Sequence, residues 1–328
     1  MMSFALSGIF AILLLGLLYL ASPVFVPLTF ALFVICLVAP LRQYLGRKMP
    51  APLAAILALV VTLVVSVVFL SLAAWGFSLV AQWVMANAAR FQRLFTLETE
   101  MLHPHGAMAI QMFQDSFNVS WLVRAIQEVA LRINSMLGMI FIAFVFIALG
   151  LFELDEAPER LTRLLGEARA QRWMAVAREV ASKLRWYMVI RTIASVLTGV
   201  TVWLFAIYAG LELATAWGGL AFLLNYIPFL GPLVATVFPA FFAFVQYGSL
   251  QTSILVLVVL NCIQIVYGCY LEPRLAGSAF SLSPLMVMFA VFFWGLVWGI
   301  PGTFIGVPLL ITMTTVYGAS RSLRVTRG

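Results

Sequence analysis

The sequence predicts an all-α polytopic membrane protein of about eight transmembrane helices or hairpins, two of them broken or re-entrant, with amphipathic helices outside the bilayer. Three observations predict it. Of 328 residues, 64% are hydrophobic and 9% charged, with a mean hydropathy of +1.09, well beyond the apolar usage of soluble domains. Uncharged windows of about 18 residues or more, enough for a helical crossing, recur along the whole chain. Two apolar runs are too long for one crossing and are punctuated by proline and glycine, the mark of a discontinuous transmembrane helix.

The net charge is +7, from 19 Lys and Arg against 12 Asp and Glu. In so apolar a chain this excess reads as the bias of cytoplasmic loops toward Lys and Arg, so no nucleic-acid partner is expected. Cys36, Cys262 and Cys269 lie in apolar runs without CxxC spacing and read as small core residues. Residues 1 to 22 lack a basic leader region and a clear small-x-small cleavage site, so a retained first span is expected.

Residues 1–80 hold three spans: Phe4 to Leu20, Val24 to Pro40 after a tight turn at Ser22-Pro23, and a third from beyond Pro52 to about Val80. Arg42, Arg47 and Lys48 form a short basic loop between the second and third, which places the N-terminus in the cytoplasm. Residues 81–135 read as an external amphipathic arm, with Leu122, Ile126, Val129 and Ile133 at helical spacing opposite Arg124, Glu128 and Arg132. His103 and His105 on that arm have no third ligand nearby, so no metal is expected.

Residues 136–191 hold the fourth span, Met136 to Leu151, and a charged cytoplasmic segment. Asp155, Glu156 and Pro158 suit a helix start. Trp173, Val176, Val180, Leu184 and Tyr187 then make one apolar stripe, and Arg185, Trp186 and Tyr187 an anchor at headgroup level.

Residues 192–320 read as a transport core, and residues 321–328 as a basic cytoplasmic tail. Thr192, Ser195, Thr198 and Thr201 form a polar stripe on the fifth span, which reads as small-residue packing ahead of a pore lining. The run from Ala214 to Phe244 would be about 45 Å as one helix, half again the hydrocarbon thickness. Pro228 and Pro232 lack amide hydrogens and Gly231 supplies unusual backbone angles, so the helix is expected to stop near Asn225 and restart near Pro232. Irregular backbone at membrane depth survives only when buried in protein or lining a wet cavity.

On the seventh span, Ser253 to Leu271, residues Asn261, Gln264, Gly268 and Glu272 fall at one helical face, which must avoid lipid. The last run, Pro284 to Tyr317, is broken at Trp298-Gly299-Ile300-Pro301-Gly302-Thr303. Two topologies fit: eight crossings, or two re-entrant hairpins with the loop carrying Arg274 on the cytoplasmic side. In both, the two termini are cytoplasmic.

Three ordered stretches carry a resemblance: Asn225 to Pro232; Glu272-Pro273-Arg274-Leu275-Ala276-Gly277 followed by Leu282-Ser283-Pro284; and Trp298-Gly299 to Pro308. They resemble the autoinducer-2 exporter family of bacterial inner-membrane proteins, and the layout of the whole chain is similar to that family's. The resemblance implies a transporter, exporting autoinducer-2 in some members and exchanging sodium and protons in others. It also implies a ring-like homo-oligomer, a pentamer, in which a mobile part moves against a scaffold.

The expected function is therefore transport of a small polar solute, through a mid-membrane site at the two broken helices. Asn225, Pro228, Gly231, Pro232, Asn261, Gln264, Glu272, Gly299, Pro301, Gly302 and Thr303 are its candidate substrate-binding residues, with half-helices near Pro232 and Thr303 offering free amides. A sodium/proton antiporter is the alternative and would need Glu272, Glu212 or Glu153 as its titrating group. A non-transporting structural assembly is a further alternative. The chain has no HExxH, GxSxG or P-loop pattern and no histidine in a span, so neither enzymatic chemistry nor a cofactor is expected.

Overall fold

A computed structural model describes residues 2–87, 89–90, 138–276 and 282–325. Most of the expected external arm, with both histidines and the periodic stretch from Ser120 to Ile133, lies outside the described residues. Among the described residues the elements are helical: α1 (Met2–Leu20), α2 (Ser22–Gly46), α3 (Ala51–Ala86), α4 (Gly138–Glu153), α5 (Ala157–Leu165), α6 (Glu167–Tyr208), α7 (Ala214–Leu224), α8 (Leu230–Tyr247), α9 (Leu250–Gln264), a π-helical segment (Ile265–Leu271), α10 (Glu272–Ala276) and α11 (Pro284–Val325). Six helices are long and apolar enough to cross a membrane, or seven if α4 and α5, bent by 78°, count as one broken span. The chain is a helical polytopic membrane protein.

Several boundaries differ from the sequence expectation. The break between α1 and α2 is a single turn residue, Ala21 at φ −93° and ψ 19°, one position before the expected turn at Ser22-Pro23. Pro23 costs nothing there because the first helical turn has no amide to lose. Helix α3 runs to Ala86 rather than Val80. The charged stretch feeds directly into the apolar helix that follows it. It breaks at Gly166, whose φ of 79° ends α5, and then continues as one 42-residue helix into the apolar part.

The chain forms two compact units, each discontinuous in sequence: Met1–Val67 with Leu137–Arg191 and Arg274–Gly328, and Val68–Met136 with Thr192–Pro273. In the first unit, α2, α3 and α4 meet through Ala31, Ala55, Ala58, Ile147 and Leu151. Small residues let helices approach closely where lipid removes any hydrophobic advantage of association. Arg42, 4% exposed, makes a bidentate pair with Asp155 at 2.6 Å on both oxygens, which ties the end of α2 to the turn after α4. Arg185 donates to the Cys36 carbonyl at 3.1 Å.

The long α11 doubles back. Gly299 has φ 66° and ψ −146°, and a Cβ at Gly302 would overlap the carbonyl oxygen of Trp294. One at Gly306 would stand 2.8 Å from the Ala290 oxygen. In an unbroken helix Ala290 and Gly306 would be about 24 Å apart. The two limbs therefore run antiparallel, and the returning limb stacks Phe304 on Phe30 at 5.7 Å.

In the second unit the same thing happens to α7 and α8. Trp217 and Phe242 rings meet at 4.8 Å, the Glu212 amide donates to Gln246 Oε1 at 2.9 Å, and a Cβ at Gly231 would overlap the Leu224 oxygen. Each pair balances a step forward on one limb with a step back on the other, which is an antiparallel hairpin. Both over-long runs are thus antiparallel helical hairpins rather than single straight helices. Helix α7, with 11 residues, reaches about 16 Å, half the hydrocarbon thickness.

Candidate functional site

The tip of the α7–α8 hairpin is built by its prolines. Helix α7 ends at Leu224, and Asn225, Tyr226 and Ile227 donate their amides back to Ala221, Leu223 and Leu224. Pro228 cannot continue that pattern. The Leu230 amide then bonds the Pro228 carbonyl two residues back at 2.7 Å, across Phe229 at φ 62° and ψ −54°. This is a γ-turn, a rare and strained reversal.

Two expectations are corrected here. The unusual backbone angles belong to Phe229 and not to Gly231, which is needed instead for the close pass over Leu224. Helix α8 restarts at Leu230, two residues before Pro232, and its first amides are not free. Leu230, Gly231 and Leu233 donate to Pro228, Ile227 and Phe229. The donors this tip has left to offer are therefore mainly its side chains. At the second tip Thr303 is buried, and its hydroxyl donates to the Ile300 carbonyl at 2.7 Å, while Gly299 is the residue that turns the chain. Pro301 and Gly302 open the returning limb. This tip belongs to the first unit and the Asn225 tip to the second.

Asn225 is 3% exposed and donates from Nδ2 to Ser195 Oγ at 3.2 Å. Tyr226 donates its hydroxyl to Thr192 Oγ1 at 3.0 Å and packs its ring against Phe69 and Phe222 at 5.5 and 5.6 Å. The backbones of α6 and α7 touch at Gly199 and Gly218: a Cβ on either would stand 2.9 Å from the other's carbonyl oxygen. The stripe read as packing surface is thus a ladder of hydroxyls to which the hairpin tip is bonded. Thr201 shares a hydrogen bond of 2.8 Å with the Tyr267 hydroxyl. Thr198, fully buried between these rungs, has an Oγ1 without a hydrogen-bond partner.

The polar face expected on the seventh span is interrupted. Gln264 is buried and its Nε2 has no partner, whereas Asn261 is exposed and donates to its own helix at Leu257. From Ile265 to Leu271 the helix widens to π geometry, and the Glu272 amide bonds Tyr267 five residues back. Pro273 explains the widening: its ring would collide with the Cys269 carbonyl of a normal α turn. The widened turn rotates Gly268 and Glu272 away from the register that α spacing assigned them. Cys262 and Cys269 are exposed on this helix rather than buried in the core.

Asp155, Glu153 and Glu212 each have a partner outside the Asn225 tip, Asp155 on the buried Arg42. Glu153 pairs with Arg160, and Glu212 accepts a hydrogen bond from Trp83 Nε1 at the mouth of the hairpin. Among the described residues the buried polar set holds no carboxylate, and no group of three or more His, Cys, Asp and Glu could hold a metal. The groups bonded at the Asn225 tip are amide and hydroxyl groups, and the buried charge next to them in sequence is Arg191, before Thr192.

Residues 9–322 match the family described as AI-2E family transporter. The chain belongs to that family. Relatives of this AI-2E member include the AI-2 transport protein TqsA of Escherichia coli strain K12, 26% identical over 310 residues that cover 93% of this chain and 88% of TqsA. A second is the "Putative transport protein YhhT" of the same organism, 24% identical over 307 residues, 92% of this chain and 87% of the relative. A third, from Haemophilus influenzae, is 28% identical over 230 residues, 68% of this chain and 62% of the relative. Family and relatives are transport proteins rather than enzymes, so this AI-2E chain is a multi-pass membrane protein of transport function.

Proposed function

We propose that the protein carries a small, uncharged, hydroxyl-bearing solute across a bacterial inner membrane, and that the Asn225 hairpin tip with the Ser195–Thr201 ladder is its binding surface. One observation carries this reading: two buried polar groups without partners, Thr198 Oγ1 and Gln264 Nε2, lie three residues from the bonded pair Thr201 and Tyr267, on the same hydroxyl ladder that holds the Asn225 tip. Buried orphans of this kind cost about 1–3 kcal/mol each, a cost that an arriving solute repays. Autoinducer-2, a small polyhydroxylated molecule, is the first solute to test because TqsA carries it in its name.

The topology that goes with this reading places both termini, the α5 region and Arg274 in the cytoplasm. The chain then assembles as a homo-oligomer, as the family resemblance implies. The test is flux of autoinducer-2 and of sodium in proteoliposomes under imposed gradients, with Asn225→Leu and Gln264→Leu alongside the natural protein. Solute flux lost in both variants, with unchanged assembly, is the expected result. Sodium-dependent proton flux abolished by Glu272→Gln would replace this reading with antiport, and oligomers without any flux would make the protein a structural assembly.

A further inference from the structure

Tyr267 has a part of its own, one that rests on the transport reading above. Helix α6 runs from Thr192, at the level of the hairpin tip, toward Tyr208. Helix α9 begins at the opposite end, where Ser253 Oγ donates to Ala240 near the close of α8 and Tyr247 donates to the Ala209 carbonyl. The two helices are therefore antiparallel, and the Thr201–Tyr267 bond links them part-way along. Thr198 lies one turn from Thr201 toward the tip. Gln264 lies three residues from Tyr267 in the other direction. The 2.8 Å hydroxyl pair thus stands between two buried polar groups, 0% and 8% exposed, neither of which finds a partner.

We infer that the Thr201–Tyr267 pair is a gate on a polar path between α6 and the π-helical segment, closed in this structure, with Thr198 on one side and Gln264 on the other. The π geometry gives the gate its means of opening. A π segment differs from an α helix by one extra residue in a turn, so returning one turn to α bonding rotates the residues beyond it by about 100°. Tyr267 lies inside the segment, next to Gly268, where a Cβ would meet nothing within 4 Å, so the turn has room to change. Such a rotation withdraws the phenol from Thr201 and exposes both orphaned groups to one continuous passage. The groups lining it are neutral donors and acceptors, which suits a solute that exchanges hydroxyl contacts rather than an ion.

The test uses Thr198→Cys in the full-length protein with Cys36, Cys262 and Cys269 changed to Ser, reconstituted in liposomes and labelled with a membrane-impermeant methanethiosulfonate. Combining it with Tyr267→Phe, which removes only the hydroxyl, is expected to raise the labelling rate about tenfold, the factor that one net hydrogen bond commands. Thr201→Val, which breaks the same bond from the other helix, must give the same increase and serves if Tyr267→Phe fails to assemble. Labelling that stays at the parent rate in both variants overturns the gate. Asn225→Leu keeps the two readings apart: loss of flux there with no change in labelling on Tyr267→Phe discards the gate and leaves the binding surface standing.

Discussion

Gly231 lies against the carbonyl oxygen of Leu224 so closely that a single methyl group would fill the same space. The contact is backbone on backbone, so no side chain is available to swing aside. Gly302 stands in the same relation to Trp294 in the other unit, which makes one device serve both hairpins. Gly231→Ala and Gly302→Ala are each expected to destabilise the protein by about 3 kcal/mol or more. The measurement is the yield and thermal midpoint of the detergent-purified protein; normal midpoints would mean that the limbs can separate.

Phe229 invites the opposite change. It holds φ 62° with its ring largely exposed, so Phe229→Gly relieves the strain of the γ-turn at little cost in packing. A gain of about 1 kcal/mol is expected, read as a raised thermal midpoint. If the strain drives the tip's motion, solute flux falls in the same variant.

The hairpin topology has a direct chemical signature. Ala214→Cys and Ser249→Cys, at the two mouths of the first hairpin, are expected to label from one side of the membrane. Ser283→Cys and Ser320→Cys, at those of the second, are likewise expected to share a side. Eight full crossings would put the members of each pair on opposite sides, so impermeant labelling of sealed cells and inverted vesicles decides.

Asp155 sets a pH dependence. The Arg42 guanidinium holds its carboxyl below the usual carboxylate range by hydrogen bonding. A lowered native value means the pair stabilises the fold above the unfolded value of about 3.9, and that stability is lost as the pH falls through the native value. The Asp155 side chain is 60% exposed, so Asp155→Asn is expected to cost only about 1 kcal/mol at neutral pH. Thermal midpoints of variant and parent should draw together as the pH falls below about 4 and meet once it is under the native value of Asp155; a gap that does not narrow over that range would assign the effect to something other than this charge.

The hairpin breaks were readable from sequence because Pro228, Pro232, Gly299 and Pro301 have only a few compatible backbone states. Hairpin against crossing was not readable, since composition is the same whichever way the second limb runs; only the Trp217–Phe242 and Ala290–Gly306 proximities separate them. The location of the reversal at Phe229 was hidden for another reason. A phenylalanine at positive φ violates local preference, and only the surrounding packing enforces it. Asn225 and Gln264 stood out as amides in apolar runs. Their neighbours Ser195, Thr201 and Tyr267 did not, because hydroxyls at three-residue steps serve ordinary helix packing equally well. The π segment is legible in principle from Pro273 following Glu272, but α periodicity carried through it gives Gly268 and Glu272 a face that the widened turn does not keep.

Helix α6 carries charged residues from Glu167 and Arg169 through Lys183 and Arg185 over its first half and the hydroxyl rungs Thr192 to Thr201 further on, with no proline anywhere in its 42 residues. At about 63 Å it is a strut rather than a chain of joints. Ser195 and Thr198 therefore sit on the same proline-free helix as the charged segment, and the rise of about 1.5 Å per residue alone fixes how far apart they stand along it.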